Sequence, residues 1–268
     1  MSDEIVSAAN ERFRRLLALA SSARERKRHG LSVIEGAHLV QAWLDRFGTR
    51  ERGLQVFVAR RALAAGEVRA LLARLPEPPA VLDDRLYARA SQLGHGSGLL
   101  AIVPTPRPAL PPRLTEDAIY LDRIQDPGNV GSMLRTCAAV GVRLVLASPG
   151  TAFCWSPKVL RAAMGAHFHL DIHEGVDAGW LPAHVAVAVR AAEAGAATSL
   201  YAADLSAPAL WLFGNEGQGL DAKLRTWPAV NPIAIPQRPV IESLNVGVAA
   251  ALCLYEQWRQ RLAAAQNV

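Results

Sequence analysis

The chain has 268 residues, 51% of them hydrophobic and 20% charged, and its 29 Lys+Arg against 24 Asp+Glu give a net charge of +5 and a pI near 9.5. That length suits one large domain or two ordinary ones, and the apolar content excludes wholesale disorder. The charge is lopsided: residues 1–106 carry 16 Lys+Arg and 11 Asp+Glu, whereas the remainder carries 13 of each. A polyanion held by the N-terminal part is one expectation, and a solvated basic surface is the other.

In chain order, the polar start MSDEIVSAANERFRR has no apolar h-region, so no secretory signal is expected. Helical periodicity covers 8–20, and a basic segment follows with Arg24, Arg26, Lys27 and Arg28. A strand at 32–35, a helix at 37–47, a strand at 55–59, a helix at 62–75 and a strand at 99–103 complete a small α/β domain over 1–106. The proline-rich stretch at 104–112 cannot continue a helix or a central strand, so 107–116 reads as a semi-rigid linker.

In 117–268, apolar strands are expected at 118–121, 143–147, 168–172, 185–189, 209–213 and 233–235. Helices are expected near 131–140, 157–164 and 245–264. Near-continuous apolar strands separated by helices predict a parallel sheet covered on both faces. The apolar stretch 246–255 is too short to span a bilayer. Cys137, Cys154 and Cys253 lie far apart without a CxxC spacing, as buried free thiols in a reducing cytoplasm would.

Some chemistries are poorly supported. Gly214, Gly217 and Gly219 give G-x-x-G-x-G rather than the dinucleotide fingerprint, Gly94, Gly96 and Gly98 merely alternate, and there is no Walker A lysine motif. His167, His169 and His173 would share a strand face, but no cysteine or carboxylate completes a metal set, and they read as structural histidines.

Three segments carry more. The first, 122–136 (DRIQDPGNVGSMLRT), runs from a strand through a proline-glycine turn, with Asn129 as an apparent helix N-cap and Arg135 nearly two turns on. The second, 212–219 (LFGNEGQG), ends an apolar strand in glycines that allow close backbone approach to a ligand. The third joins Ile235-Pro236 to Glu242-Ser243-Leu244-Asn245-Val246, which opens the last helix.

In order and spacing these segments resemble the three motifs of the SpoU/TrmH family of RNA ribose 2′-O-methyltransferases, within the SPOUT superfamily. More loosely, 24–40 and 96–103 look like the substrate-binding domain that precedes many SpoU catalytic domains. The resemblance implies an α/β fold with a trefoil-knotted parallel sheet, a homodimer with cofactor sites near its interface, and S-adenosylmethionine as methyl donor without a metal. It implies an RNA substrate, and the two-domain layout favours ribosomal over transfer RNA; the scattered cysteines and the short apolar stretch point to the cytoplasm, away from membranes.

By the same resemblance the catalytic residues are Asn129, Arg135, Glu216, Ser243 and Asn245, while Gly214, Ile235 and Leu244 hold the cofactor. Glu216 is expected to orient Arg135 or backbone groups rather than to act as a base. Arg24, Arg26, Lys27 and Arg28 are the candidate phosphate contacts, with an exposed solubilising loop as the alternative. Gln237-Arg238-Pro239 departs from the glycine-containing loop more usual in the family, and Gly247 takes a small-residue position in the helix. The alternatives are a transfer-RNA enzyme of the same family, a non-catalytic RNA-binding protein on this scaffold, and a small-molecule methyltransferase with no use for a basic N-terminal domain.

Overall fold

The computed structural model describes residues 4–48, 53–92 and 96–266; Gly94 of the alternating glycines lies outside them. The chain divides into two compact units, Met1–Pro106 with Trp155–Phe168, and Arg107–Cys154 with His169–Val268.

The first unit contains β1 (Glu4–Ile5), α1 (Glu11–Ser21), α2 (Ala23–His29), β2 (Leu31–Glu35), α3 (Ala37–Phe47), β3 (Gln55–Ala59), α4 (Gly66–Leu72), β4 (Ala80–Leu82), α5 (Asp84–Ala90) and β5 (Leu99–Pro104). Its mixed sheet has the order β1-β4-β3-β5-β2, with β5 antiparallel to both neighbours. The basic segment is helical rather than looped, because Ser22 caps α2 through its side chain and Gly30, at φ 62°, ends it. The expected helix at 62–75 is shorter: a 3₁₀ turn at Arg60–Ala62 precedes α4.

The second unit contains β6 (Ala118–Leu121), α6 (Pro127–Val140) and β7 (Leu144–Ala147). Helix α7 (Pro157–Ala163) follows in the chain but packs with the first unit. Then come β8 (Asp171–Glu174), α8 (Leu181–His184), β9 (Ala188–Ala192), β10 (Thr198–Ser199), β11 (Ala209–Phe213), α9 (Ala222–Arg225), β12 (Val230–Ala234) and α10 (Val246–Gln266). The strands form one seven-stranded sheet, β10-β12-β9-β11-β6-β7-β8, parallel throughout. The predicted parallel sheet is therefore present. The central strands β6 and β11 are wholly buried, as strands covered on both faces should be.

Two strand expectations need correction. Residues 168–170 are not strand: Met164 (φ 49°) and Gly165 (φ 87°) turn the chain into a 3₁₀ segment, Ala166–His169, and the strand begins at Asp171. Phe168 instead meets Trp43 edge-on at 5.6 Å between ring centroids. The three histidines therefore share no strand face: His167 is buried, His169 is exposed, and only His173 lies in β8.

The strand expected at 185–189 is Ala188–Ala192, because Val185 is taken by a bridge to Leu114. Arg190, which interrupts the apolar run, is itself buried and donates to Gln257 Oε1 at 3.3 Å and the Asp204 carbonyl at 2.8 Å. The three cysteines are buried and unlinked. Among the described residues no helix is long and apolar enough to cross a membrane.

Candidate active site

The site lies at the C-terminal ends of the parallel strands of the second unit, where an open α/β sheet leaves its loops free to surround a ligand. Strand β6 delivers Asp122 to Asp126, β9 delivers Glu193, β11 delivers the glycine turn, and β12 leads through 235–245 into α10. Of these, β9, the glycine turn and the 235–245 loop line a cavity of about 530 Å³.

At the start of α6 the N-cap is Asp126, not Asn129. The Asp126 carboxylate accepts the Asn129 N–H at 2.9 Å, and Pro127 occupies the first helical position, where its missing N–H costs nothing. The Asn129 Oδ1, which capping would occupy, is thereby open to a distant donor. Relieved of that task, Asn129 donates from Nδ2 to Glu216 Oε1 at 3.0 Å and accepts from Asn245 Nδ2 at 2.9 Å. One side chain thus ties all three motifs together.

Glu216 is fully engaged. Its Oε2 accepts the Gln125 N–H at 3.2 Å, and its Oε1 accepts the Asp126 N–H at 3.2 Å besides the Asn129 amide. Burial alone would push its carboxyl up. The hydrogen bonds from Asn129 and from the backbone N–H groups of Glu216, Gln125 and Asp126 together outweigh burial and hold it below the ordinary range. An acid stabilised in its ionised form is a poor proton acceptor, and Glu216 acts here as a tie between loops.

Asn245 caps α10, its Oδ1 accepting the N–H groups of Gly247 (2.9 Å) and Val248 (3.2 Å). A Cβ at Gly247 would sit 2.6 Å from Ser132 Oγ and 3.2 Å from Asn245 Oδ1, which accounts for the small residue there.

Ser243, Leu244, Ile235 and Gly214 line the cavity. The glycine turn is closed by two backbone bonds between Asn215 and Gly219, at 3.0 and 2.9 Å. Gly214 lacks a side chain for a local reason. A Cβ there would lie 2.4 Å from both Gly219 C and Leu220 N, so the turn folds back over this residue.

Arg135 stands apart from this cluster. It is exposed on α6, outside the cavity lining, and among the described residues it has no hydrogen-bond or ion-pair partner. Of the two partners expected for Glu216, Arg135 or backbone groups, the carboxylate takes the backbone N–H groups of Gln125 and Asp126, and it forms no hydrogen bond or ion pair with Arg135.

In the first unit the four basic candidates separate. Arg24, Lys27 and Arg28 are exposed, but Arg26 is 4% exposed and donates to the carbonyls of Leu19 and Ala20 (3.1 Å) at the end of α1. It is thereby occupied as a helix C-terminal cation and is not offered to a phosphate.

Sequence reasoning missed Glu193, hidden by the misplaced strand, and Asn215, whose side chain donates to the Arg123 carbonyl at 2.8 Å and accepts the Gly217 and Gln218 N–H groups. An Asn between glycines is an ordinary turn signal and could have pointed to the latter role.

Residues 117–255 match the profile of the SpoU rRNA Methylase family, more than half of the chain. An uncharacterised tRNA/rRNA methyltransferase of Synechocystis is 31% identical, covering 97% of this chain and 95% of its own. RlmP of Bacillus subtilis, a 23S rRNA (guanosine(2553)-2′-O)-methyltransferase, is 28% identical over 94% of this chain and 98% of its own. Among solved structures, the SpoU methyltransferase AviRb of Streptomyces viridochromogenes, in complex with the cofactor AdoMet, superimposes with a TM-score of 0.82 at 25% identity, over 95% of this chain and 100% of that one. The convergence of the three motifs on one cavity thus coincides with a family match over the same residues, and the chain belongs to the SpoU rRNA methylase family.

Proposed function

We infer that this protein transfers a methyl group from S-adenosylmethionine to a ribose 2′-hydroxyl of ribosomal RNA. The observation that carries the reading is the Asn129 amide joined to both Glu216 and Asn245 at a cavity whose walls come from the family's motifs. The cavity is within the range of small-ligand sites, roughly 300–1,000 Å³. Its lining suits the methyl donor: Ile235, Leu244 and Phe213 offer apolar surface to an adenine, and Glu193 and Glu242 offer carboxylates to the donor's positive α-ammonium and sulfonium groups.

S-adenosylmethionine supplies a sulfonium methyl that is already reactive, so the protein's task is alignment and electrostatics. Gly214, Ile235 and Leu244 would hold the donor, and Ser243 and Asn245, in the wall of the same cavity, would meet the incoming sugar. Glu216 keeps the 125–126 backbone and Asn129 in place. Arg135 grips a phosphate or ribose oxygen through its planar fork and stabilises developing negative charge; a guanidinium is far too weak an acid to serve as a base. The ribose belongs to a loop or single strand, where it can be splayed outward.

The relatives named as 23S rRNA methyltransferases support ribosomal over transfer RNA. Mapping 2′-O-methyl groups in RNA from cells with and without the protein tests this. Loss of one ribosomal position is expected, and a loss confined to transfer RNA would move the assignment there. A cytoplasmic setting, where the buried thiols stay reduced, belongs to the same proposal.

The first unit serves RNA capture through Arg24, Lys27 and Arg28. Replacing all three with alanine should lower the slope of log affinity against log salt by up to about two, since each phosphate contact on a single strand contributes about 0.7. An unchanged slope would count against this surface.

The proposal includes the trefoil knot and the homodimer. Packing of α10 on α6, directly after the cavity loop, supports the knotted path. Val248, Tyr255, Trp258 and Leu262 are 39–49% exposed along α10 and, with Tyr201 at 59%, border a largely apolar groove of about 710 Å³. Ser132 and Thr136, which flank Arg135 in α6, border it too. A second copy covering this groove would therefore sit beside Arg135. Sedimentation should give a dimer that Trp258→Glu converts to monomer, whereas a monomeric wild type would remove this part of the proposal.

A further inference from the structure

Arg123 of the first motif lies outside the cavity lining and takes no part in the proposed methyl transfer. Arg123 directly follows the buried Asp122 and adopts φ 55°, a left-handed backbone that a glycine or asparagine would occupy more easily. Besides Met164 it is the non-glycine residue in that region among the described residues. Strain of this kind persists where the surroundings over-determine the conformation, and here they do. The Arg123 N–H donates to Ser148 Oγ at 2.8 Å, and its carbonyl accepts Asn215 Nδ2 at 2.8 Å.

The side chain is engaged just as fully. Nε and Nη2 form a fork on the two oxygens of Asp122, at 3.2 and 3.1 Å. Nη1 donates to Gln218 Oε1 at 3.1 Å, and Nη2 also reaches the Gly219 carbonyl at 3.3 Å. That carbonyl is the one that closes the 215–219 turn by accepting the Asn215 N–H. Asp122 in turn accepts the Asp221 N–H at 2.7 Å, just beyond the turn. Gln218 and Gly219 line the 530 Å³ cavity.

We propose that Arg123 is a positioning residue that clamps the 215–219 turn from outside and so sets the shape of the methyl-donor cavity. With its backbone left-handed, Arg123 at the C-terminal end of β6 lays its guanidinium against the turn that follows the neighbouring strand β11. This rests on the reading of the cavity as the S-adenosylmethionine site. The role is distinct from chemistry, because Arg123 is not among the cavity-lining residues and touches the turn only from behind.

The test compares the full-length wild type with Arg123→Gly, which suits the backbone and removes the clamp, and Arg123→Lys, which keeps a cation without the fork. S-adenosylmethionine affinity is read by calorimetry, KM and kcat with ribosomal RNA from cells lacking the protein, and folding by thermal melting. Arg123→Gly should raise the donor Kd and KM about tenfold with kcat within twofold, and Arg123→Lys should recover part of that loss. Donor affinity within twofold of wild type in both variants would overturn the proposal while leaving the function intact. Wild type that binds no donor would instead overturn the function and this proposal with it. Should Arg123→Gly fail to fold, Arg123→Lys decides alone: a KM shift without a melting shift supports the clamp, and no KM shift refutes it.

Discussion

Gly214→Ala should abolish useful methyl-donor binding, weakening the calorimetric affinity by about a hundredfold or more. The reason is space. A Cβ at 214 would stand 2.4 Å from Gly219 C, 2.4 Å from Leu220 N and 2.8 Å from the Gly219 carbonyl oxygen. All three are backbone atoms, which cannot step aside as a side-chain tip would. Relief requires moving 219–220 away and breaking the bonds that close the turn at Asn215. Overpacking of this kind costs typically 1–3 kcal/mol, and the clash is with the turn rather than with the buried strand β11 that precedes it. The damage therefore falls on the turn, and the turn is a cavity wall. Donor affinity equal to wild type in a folded Gly214→Ala protein would mean that this wall does not bind the donor.

Such a role for Gly214 was only half legible in the sequence. A glycine-rich turn after an apolar strand suggests close approach of something, and the natural inference is a ligand. The missing Cβ instead makes room for the protein's own backbone. The strands around it were readable because their burial leaves one solution: 118–121 and 209–213 are apolar at every position and coincide with β6 and β11.

Where local pattern and tertiary demand differ, the sequence misleads. Residues 185–189 look as strand-like as the true Ala188–Ala192, but Val185 is claimed by Leu114 and buried Arg190 is hydrogen-bonded by polar partners 14 and 67 residues away. At 168–170, Phe168 is apolar because it completes an aromatic cluster with Trp43 and Phe47, not because the segment extends as a strand.

The same limit applied to side chains with two plausible duties. Asn129 and Asp126 are both good N-caps, and only the long-range bonds to Glu216 and Asn245 show which is free. Arg26 sits among exposed cations at 24–28, yet α2 is short and turns that one position inward to the end of α1. Periodicity within seven residues is too weak to mark it.

Arg135→Ala should lower kcat by about 10²–10³, the usual effect of removing one group that stabilises transition-state charge, while leaving donor affinity within about twofold. The separation follows from placement, since Arg135 lies outside the cavity lining and no protein group among the described residues depends on it. Contrast Arg26, Arg123 and Arg190, whose guanidinium groups are spent on carbonyls, carboxylates or amides of the protein itself. A long cation left exposed on α6, six residues after the asparagine that joins the motifs, is available to an anionic substrate at no cost to the fold. Arg135→Lys should restore only part of the rate, because an ammonium keeps the charge but loses the planar fork. Single-turnover assays at saturating donor isolate this step from binding. Wild-type rates in Arg135→Ala would remove it from the chemistry, and a parallel loss of donor affinity would place it in the cofactor site instead.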